Sequence, residues 1–221
     1  MAKSEPLRHS LFFRLLYPAI YLVAALVMTV LGPFRVRGRR HVPRRGGVLI
    51  LSNHLADIDP VAVHLASPRL VHFMAKKELF EMRILGSVIR FFKAFPVQRG
   101  APDRAALRRV IELLQAGEVV CIFPEGQLSE SGDLLPILPG AALVAKRAGV
   151  PIVCCGLRNT QRIMPYGQFI PRPAFRWVTA EFSPPLVLGP DAEVEEIAEQ
   201  VAQTLARMTG QARRAESPPL E

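Results

Sequence analysis

Short apolar runs recur along the chain at lengths that are typical of buried strands. Between them lie longer segments in which apolar residues repeat every three or four positions, as on one face of a helix. The strand-like runs occupy residues 48–51, 70–74, 95–98, 119–123, 151–157 and 174–182. The helix-like segments occupy residues 77–93, 103–116, 140–147 and 191–208.

This alternation of strands and helices predicts a single α/β domain with a mostly parallel mixed sheet flanked by helices. At 221 residues, the chain is long enough for one such domain to bury a substantial core. We assign the domain to residues 35–210 and predict that residues 211–221 form a flexible tail.

The N-terminal segment is apolar and uncharged over 17 residues, 15–31, and Lys3, Arg8 and Arg14 precede it. This length is near the lower limit for spanning a bilayer. A cleaved signal peptide and a buried core helix are both compatible with the pattern. We favour a helix or bent helix pair inserted in one leaflet, so that residues 1–34 form a membrane-anchoring segment.

The segment that follows is strongly basic. It carries no acidic residue between positions 34 and 47, and the whole chain has a net charge of +9. Each arginine near an anionic membrane surface contributes about 1 kcal/mol to binding, so this segment suits acidic lipid headgroups, although a solvated basic loop is the simpler alternative. Nucleic acid is disfavoured because no aromatic residues alternate with the arginines. The arginines are Arg35, Arg37, Arg39, Arg40, Arg44 and Arg45.

The cysteines indicate a reducing compartment. Cys121, Cys154 and Cys155 all fall inside apolar strand-like runs, and their number is odd. Buried free thiols are therefore expected instead of a disulfide framework. We predict no metal site, because the cysteines lack zinc-ligand spacing and no second histidine lies at ligand spacing from His54.

Titratable side chains follow directly after the strand-like run 48–51. His54 and Asp59 lie in this turn, where α/β proteins commonly place their chemistry. A carboxylate that accepts one ring N–H fixes the histidine tautomer and leaves the other nitrogen free to take a proton from a hydroxyl. Asp57 is a rival partner for His54, although its position favours a turn residue.

Polar residues also follow other predicted strands, at 98–99, at 125–126 and from position 158 onward. Because the carboxyl ends of neighbouring parallel strands share one edge of a sheet, these residues could converge with His54 on one cleft. Hydrolysis with Ser129 or Ser131 as nucleophile is an alternative chemistry. The sequence lacks the G-x-S-x-G elbow that serine hydrolases of this class carry.

Two of these clusters resemble motifs of the glycerolipid acyltransferases, the family of PlsC-like lysophospholipid acyltransferases. Asn53-His54 followed by Asp59 matches the N-H-x-x-x-x-D motif of this family, and Phe123-Pro124-Glu125-Gly126 matches its F-P-E-G motif. Residues 150–153 resemble its V-P-I-V block, and Arg99 lies where a substrate-binding arginine closes a third block. The similarity runs in order from about residue 36 to residue 188.

The resemblance implies an O-acyltransferase of phospholipid biosynthesis. His54, oriented by Asp59, would act as general base on the free hydroxyl of a lysophospholipid such as 1-acylglycerol-3-phosphate. Asn53, Arg99, Glu125 and Gly126 would form the substrate-binding set, and a purely structural role for Glu125 stays open.

The resemblance also implies the partners of the reaction. The acyl donor would be acyl-CoA or acyl-carrier protein, and no bound cofactor is needed beyond this donor. The expected location is the cytoplasmic face of a bacterial inner membrane. A membrane-binding homologue without catalysis is the remaining alternative.

Two positions depart from the pattern of members that act on lysophosphatidic acid. Those members commonly read T-R-S after F-P-E-G, whereas this chain has Gln127-Leu128-Ser129. They also carry lysines just before the next helix, where this chain has Ile137 and Leu138. The identity of the acyl acceptor therefore stays open.

Overall fold

The fold is built on a seven-stranded sheet with the order β1-β7-β6-β2-β5-β3-β4. The structure, a computed structural model, describes residues 11–98, 103–168, 170–189 and 191–216. All neighbouring strands run parallel except β6 and β7, which are antiparallel. The strands are β1 Phe34–Arg37, β2 Val48–Ser52, β3 Val71–Lys76, β4 Phe95–Val97, β5 Val119–Ile122, β6 Ile152–Arg158 and β7 Val178–Phe182.

Helices cover both faces of this sheet, as the prediction of a single, mostly parallel α/β domain requires. They are α1 Leu11–Leu31, α2 Asp59–Ala66, α3 Arg83–Phe91, α4 Arg104–Gln115, α5 Pro139–Ala148, α6 Thr160–Ile163 and α7 Val194–Thr209. Short 3₁₀ turns occupy Arg39–His41 and Lys77–Phe80. The predicted fold class is confirmed.

Alternate residues of the central strand β2 face two different cores. Val48 and Ile50 pack in the core beneath α1 and α2, whereas Leu49 and Leu51 pack in the core beneath α4, α5 and α7. All five residues of β2 are buried. A strand covered on both faces is apolar at successive positions, and for this reason β2 could be predicted from the apolar run 48–51.

Helices α4 and α7 begin or end where the local sequence supplies a suitable residue. The Asp103 side chain accepts from Ala106 N and begins α4. Glu193 and Glu196 form a capping box at α7, and Gly210, at φ 74°, ends that helix. These local signals explain why the predicted bounds of α4 and α7 lie close to the observed ones.

The structure adds elements that the pattern did not predict. Residues 34–37 form the edge strand β1 inside the basic segment, for which we predicted no strand, and the proposed domain boundary at residue 35 falls inside it. A full helix, α2, begins at Asp59 where we predicted only a turn. The helix predicted at 77–93 is divided into a 3₁₀ turn and α3. The strand predicted from residue 174 begins only at Val178.

Helix α1 packs one face on the domain and leaves the other exposed. Met28 is fully buried in the core, and Tyr21 donates its hydroxyl to Leu65 O in α2 at 2.9 Å. On the opposite face, Leu22, Leu26 and Val30 are largely exposed. Within the described residues, no helix combines the length and the apolar character needed to cross a bilayer. Residues 1–10 of the proposed anchoring segment lie outside the described residues.

Candidate active site

The loop between β2 and α2 brings His54 and Asp59 together. His54 Nδ1 donates to Asp59 Oδ2 across 2.9 Å, and the two side chains are almost completely buried. Asp57, the rival partner, is exposed in the turn of the same loop. The spatial pairing that the sequence predicted is therefore present, with Asp59 as the partner.

Asp59 is held by more than the imidazole. Its Oδ2 atom also accepts from Leu55 N at 2.6 Å and from Ala56 N at 2.8 Å. Asp59 is the first residue of α2, where the positive end of the helix dipole favours a carboxylate. Its second oxygen, Oδ1, has no hydrogen-bond partner within the described residues. These contacts fold the loop around the carboxylate and set the position of the histidine.

The imidazole of His54 lies flat against an aromatic ring from the next strand end. Its centroid is 3.9 Å from that of Phe123, and the two ring planes differ by 16°. The stack fixes the ring plane, and the bond to Asp59 fixes its rotation in that plane. No side chain within the described residues hydrogen-bonds to Nε2. This nitrogen is therefore the one available to an incoming hydroxyl.

Glu125, in the loop after β5, is bonded to the loop between β2 and α2, residues 53–58, which we call the histidine loop. It is fully buried, and its Oε1 accepts from His54 N and its Oε2 from Leu135 N, each at 2.8 Å. Burial raises the pKa of this carboxyl to about 8, although the two backbone donors oppose the rise. Both oxygens are committed to the protein backbone, which is the arrangement of a positioning group.

We expect the buried carboxyl of Glu125 to make folding stability depend on pH. Its folded pKa of about 8 exceeds its usual 4.5, so the folded state holds a proton that the unfolded state has lost between these values. The contribution is complete below pH 4.5 and is lost as the pH rises through 8. Between pH 6.5 and 8, the free energy of unfolding of the native chain should fall by up to about 1 kcal/mol per pH unit.

Chemical denaturation of Glu125→Gln across the same pH range checks this expectation. The variant should be less stable at every pH, by about 1–3 kcal/mol, because the amide nitrogen cannot accept from a backbone N–H. Its pH slope should be clearly flatter than that of the native chain. His64, whose pKa burial lowers to about 4, titrates below this window and does not interfere. Equal slopes in the two proteins would contradict the assignment.

Asn53 joins the ends of two neighbouring strands. Its Oδ1 accepts from Leu157 N at 2.7 Å, and its Nδ2 donates to Leu157 O at 3.0 Å and to Gln211 Oε1 at 2.9 Å. The side chain is fully buried. All of these contacts are internal to the protein, so Asn53 holds the histidine loop against the end of β6.

Gln211 is a residue of this site that the sequence did not reveal. Besides its bond to Asn53, its Nε2 donates to Gly132 O at 2.7 Å. The following residues pair with the loop after Glu125, through Leu134 N to Ala212 O at 2.8 Å and Arg214 N to Leu134 O at 2.9 Å. The tail predicted from residue 211 is thus tied to the site over its first residues, and residues 217–221 lie outside the described part of the chain.

Replacing Gln211 by Ala should loosen the histidine loop. The change removes two hydrogen bonds, of which each contributes about 0.5–1.5 kcal/mol, and leaves the buried Asn53 amide with one acceptor fewer. We expect faster amide hydrogen exchange at Leu157 and in residues 132–135, with a small loss of global stability. Gln203→Ala, which removes only an exposed bond to Glu199, is the matched control. Exchange that changes equally in both variants would contradict the connection.

Gly126 has a backbone conformation that favours glycine, and a leucine side chain packs close to it. Its φ is 75°, and a Cβ at this position would lie 2.4 Å from Leu138 Cδ1. Leu138 N also donates to Pro124 O at 2.8 Å. One of the apolar departures from the family pattern, Leu138, therefore packs directly on the F-P-E-G turn. The N–H of Gly126 donates to Phe123 O at 3.1 Å, so the turn itself uses this donor.

The remaining strand-end residues predicted from the sequence are Arg99, Gln98 and Arg158. Arg99 lies outside the described residues, so its predicted role stays a prediction. Gln98, before it, donates its backbone N–H to Asp103 at the start of α4. Arg158, at the end of β6, pairs with Glu181 at 3.2 Å. Among the described residues, the strand-end clusters at positions 53–59 and 125–126 meet, through the bond from His54 N to Glu125.

The two serines proposed as alternative nucleophiles have other hydrogen-bond partners. Ser129 Oγ donates to Asp133 O at 2.6 Å, while its backbone N–H donates to His54 O at 2.9 Å. Ser131 Oγ donates to the Asp133 carboxylate at 2.9 Å. Neither hydroxyl forms a hydrogen bond with the imidazole in the described part of the chain. The geometry does not assemble a serine–histidine pair.

The cysteines are buried free thiols, as predicted. Cys121 and Cys155 are fully buried, and burial raises the pKa of both thiols. Within residues 11–98, 103–168, 170–189 and 191–216, no group of three or more His, Cys, Asp or Glu side chains could hold a metal ion.

Comparison with protein families identifies the chain. The model of the family described as Acyltransferase matches residues 33–158, which is more than half of the chain. The chain belongs to this acyltransferase family. The matched region contains the histidine loop, the F-P-E-G turn and strands β1 to β6. The family resemblance drawn from the motifs is confirmed.

Individual relatives agree with the family match. The chain is 31% identical over 129 residues to a 1-acyl-sn-glycerol-3-phosphate acyltransferase of Bacillus subtilis, covering 58% of this acyltransferase chain and 64% of the relative. It is 34% identical over 135 residues to the enzyme of the same name from Streptococcus pneumoniae, covering 60% and 50%. The matches thus span less than two thirds of these relatives' own lengths.

A solved structure has the same fold. The crystal structure of the 1-acyl-sn-glycerophosphate acyltransferase PlsC from Thermotoga maritima matches with a TM-score of 0.75 and 22% sequence identity. The match covers 90% of the acyltransferase chain described here and 80% of the other protein. The β2–α2 loop and the F-P-E-G turn therefore lie on a scaffold that is shared with this structure.

Proposed function

We propose that this protein transfers a fatty acyl group from an acyl thioester to the free hydroxyl of a lysophospholipid. The observation that carries the proposal is the buried His54–Asp59 pair, stacked on Phe123, in a chain of the acyltransferase family. The names of the relatives point to 1-acylglycerol-3-phosphate as acceptor.

In the proposed reaction, His54 acts as general base and Asp59 orients it. Nε2 takes the proton of the acceptor hydroxyl while the oxygen attacks the thioester carbonyl carbon. The tetrahedral intermediate then collapses, the carbon–sulfur bond breaks, and the departing sulfur recovers the proton from the imidazolium. No acyl-enzyme forms. General-base assistance of this kind contributes about 10²- to 10⁴-fold in rate.

The positioning groups of the site act through backbone contacts. Asp59, Glu125 and Asn53 each accept from a backbone N–H and hold the two loops at fixed separation. In this proposal, Glu125 and Asn53 position His54 without touching the acceptor. Preorganisation of this kind places the base within reach of the substrate before the reaction begins.

The acceptor is proposed to be 1-acylglycerol-3-phosphate or another lysophospholipid. Arg99 is the proposed phosphate ligand because a guanidinium offers a planar fork of donors to phosphate oxygens. Next to the F-P-E-G turn, Leu138 supplies an apolar contact at a position where a lysine would favour a phosphate monoester. This substitution widens the range of headgroups that the site would accept.

The proposed place of action is a membrane surface. The exposed apolar face of α1 and the arginines that follow it would contact an anionic leaflet, on the cytoplasmic face of a bacterial inner membrane. A lysophospholipid resides in such a leaflet, so this arrangement would present its hydroxyl to His54. Acyl-CoA or acyl-carrier protein would deliver the acyl chain from the aqueous side.

A transfer assay with both donors tests the proposal. Labelled acyl-CoA and acyl-carrier protein are each incubated with the purified protein and a panel of lysophospholipids that differ in headgroup. We expect labelled diacyl product with at least one pair. Release of free fatty acid without product would support the hydrolase alternative. The absence of transfer with every pair would support a non-catalytic membrane-binding homologue.

A further inference from the structure

The loop between α6 and β7, residues 170–177, exposes large apolar side chains. Ile170 is 81% exposed, Phe175 is 89% exposed and the side chain of Trp177 is about half exposed, at 52%. Arg172 and Arg176 are exposed between them, and the loop contains no acidic residue. Three large exposed apolar residues within eight positions are an unusual concentration, whereas single exposed apolar residues are ordinary on protein surfaces.

The backbone holds this loop in a defined shape. Ala174 N donates to Leu31 O at 2.6 Å and Arg172 N donates to Ile163 O at 2.8 Å. Trp177 O accepts from the Asn159 side chain at 2.8 Å. Phe175 has φ of 50°, a conformation that is unusual for an aromatic residue. The loop therefore presents Phe175 to the outside at a backbone cost, and such costs concentrate at functional positions.

The loop adjoins the exposed face of α1. Leu22, Leu26 and Val30 lie one helical turn apart on that face, and Val30 is followed by Leu31, whose carbonyl accepts from Ala174. The backbone bond between Ala174 and Leu31 thus joins the C-terminal end of α1 to the loop. The exposed apolar residues of α1 and of the 170–177 loop are together called the apolar surface below.

The charges around this surface favour anionic lipid over a second copy of the chain. The Arg35 guanidinium lies 4.4 Å from the centroid of the Trp177 ring. Arg172 and Arg176 add two further cationic side chains, and the chain carries a net charge of +9. Two such surfaces would repel each other. Tryptophan at the level of the headgroups, with neighbouring arginines on acidic lipid, is a typical membrane-interface arrangement.

We infer that the 170–177 loop is a second membrane-insertion element, which places Phe175 and Trp177 in the interfacial region of an anionic bilayer beside the exposed face of α1. The inference rests on the membrane association in the proposed function and does not depend on acyl transfer. With two elements inserted, the domain is fixed in orientation on the leaflet, whereas a single helix would leave it free to pivot.

Trp177 itself reports on this insertion, because it is the only tryptophan of the chain. The purified full chain is titrated with vesicles of phosphatidylcholine, alone or mixed with phosphatidylglycerol. We expect a blue shift of the emission with the mixed vesicles and quenching by lipids that are brominated on their acyl chains. Vesicle binding without either change would overturn the inference. A shift that depends on protein concentration without lipid would also overturn it, in favour of self-association.

Two matched substitutions separate the loop from the rest of the surface. Phe175→Ser should lower the partition coefficient on mixed vesicles by about tenfold, since a buried aromatic side chain is removed from the lipid. Val187→Ser is the control, because Val187 is 86% exposed in the segment between β7 and α7, outside this surface. Its partition coefficient should stay unchanged. Equal losses in both variants, or none in Phe175→Ser, would overturn the inference.

A third variant distinguishes this inference from the reaction chemistry. His54→Ala should bind the mixed vesicles as the native chain does, because His54 is buried away from the apolar surface. Binding measured without substrate also keeps the two questions apart. A protein that inserts Trp177 but transfers no acyl group would retain this inference while the proposed reaction fails.

Discussion

His54→Ala should reduce acyl transfer by about 10²- to 10⁴-fold, which is the range that a general base contributes. Among the described residues, Nδ1 of the imidazole is bonded to Asp59, and Nε2 has no hydrogen-bond partner. Without the imidazole, only solvent can take the proton of the acceptor hydroxyl. The measurement is the initial rate of transfer with the best donor and acceptor pair from the panel.

A loss of activity supports the general-base role only if the His54→Ala variant remains folded. The ring stacks on Phe123, so its loss should also lower the melting temperature slightly. His41→Ala is a suitable control, since His41 bonds to Phe182 O in strand β7 and not to Asp59. We expect this control to keep the native rate. A folded His54→Ala protein with the native rate would refute the general-base mechanism.

Asp59→Asn should lower turnover by about 10²-fold while the protein stays folded. An amide oxygen can still accept from Leu55 N and Ala56 N, and its nitrogen would occupy the position of Oδ1, which has no partner among the described residues. The variant loses the negative charge that stabilises the imidazolium formed during proton transfer. The effect should therefore appear in kcat, with little change in KM for the acceptor.

Asp57→Asn provides a control in the same loop. Asp57 is exposed, two residues before Asp59, and makes no contact with the imidazole within the described residues. The same chemical change at this position should leave kcat unchanged. If Asp59→Asn altered KM alone, or if both variants lost activity equally, the carboxylate of Asp59 would not act through His54.

The contacts of Glu125 and Asn53 change how the family motifs are understood in this chain. Both residues belong to the motifs from which we predicted substrate binding, yet each is fully buried with its polar atoms bonded to the protein. Their contacts explain why the two motifs occur together. The F-P-E-G turn supplies the ring on which His54 stacks and the carboxyl group that accepts from the His54 backbone, so each motif depends on the other.

Some predictions from the sequence succeeded because they rest on local chemistry. The run 48–51 is apolar at every position, as a strand covered on both faces must be, and the helix predicted at 103–116 ends before Gly117. Helix α2 was not predicted because we interpreted Pro60 as a turn residue. Proline is, however, also well suited to the first turn of a helix. Strand β1 was missed since its arginines alternate with Phe34 and Val36 at the edge of the sheet.

The sequence alone established the α/β class, the family and the candidate pair His54 and Asp59, because strand length, helix periodicity and motif spacing are local properties. Only the tertiary structure revealed that Phe123 stacks on His54, that Glu125 binds the His54 backbone and that Gln211 reaches Asn53. Glu125 and His54 are 71 positions apart, and Gln211 and Asn53 are 158 positions apart. Contacts over such separations arise from the order in which the strands assemble, and no local pattern encodes that order.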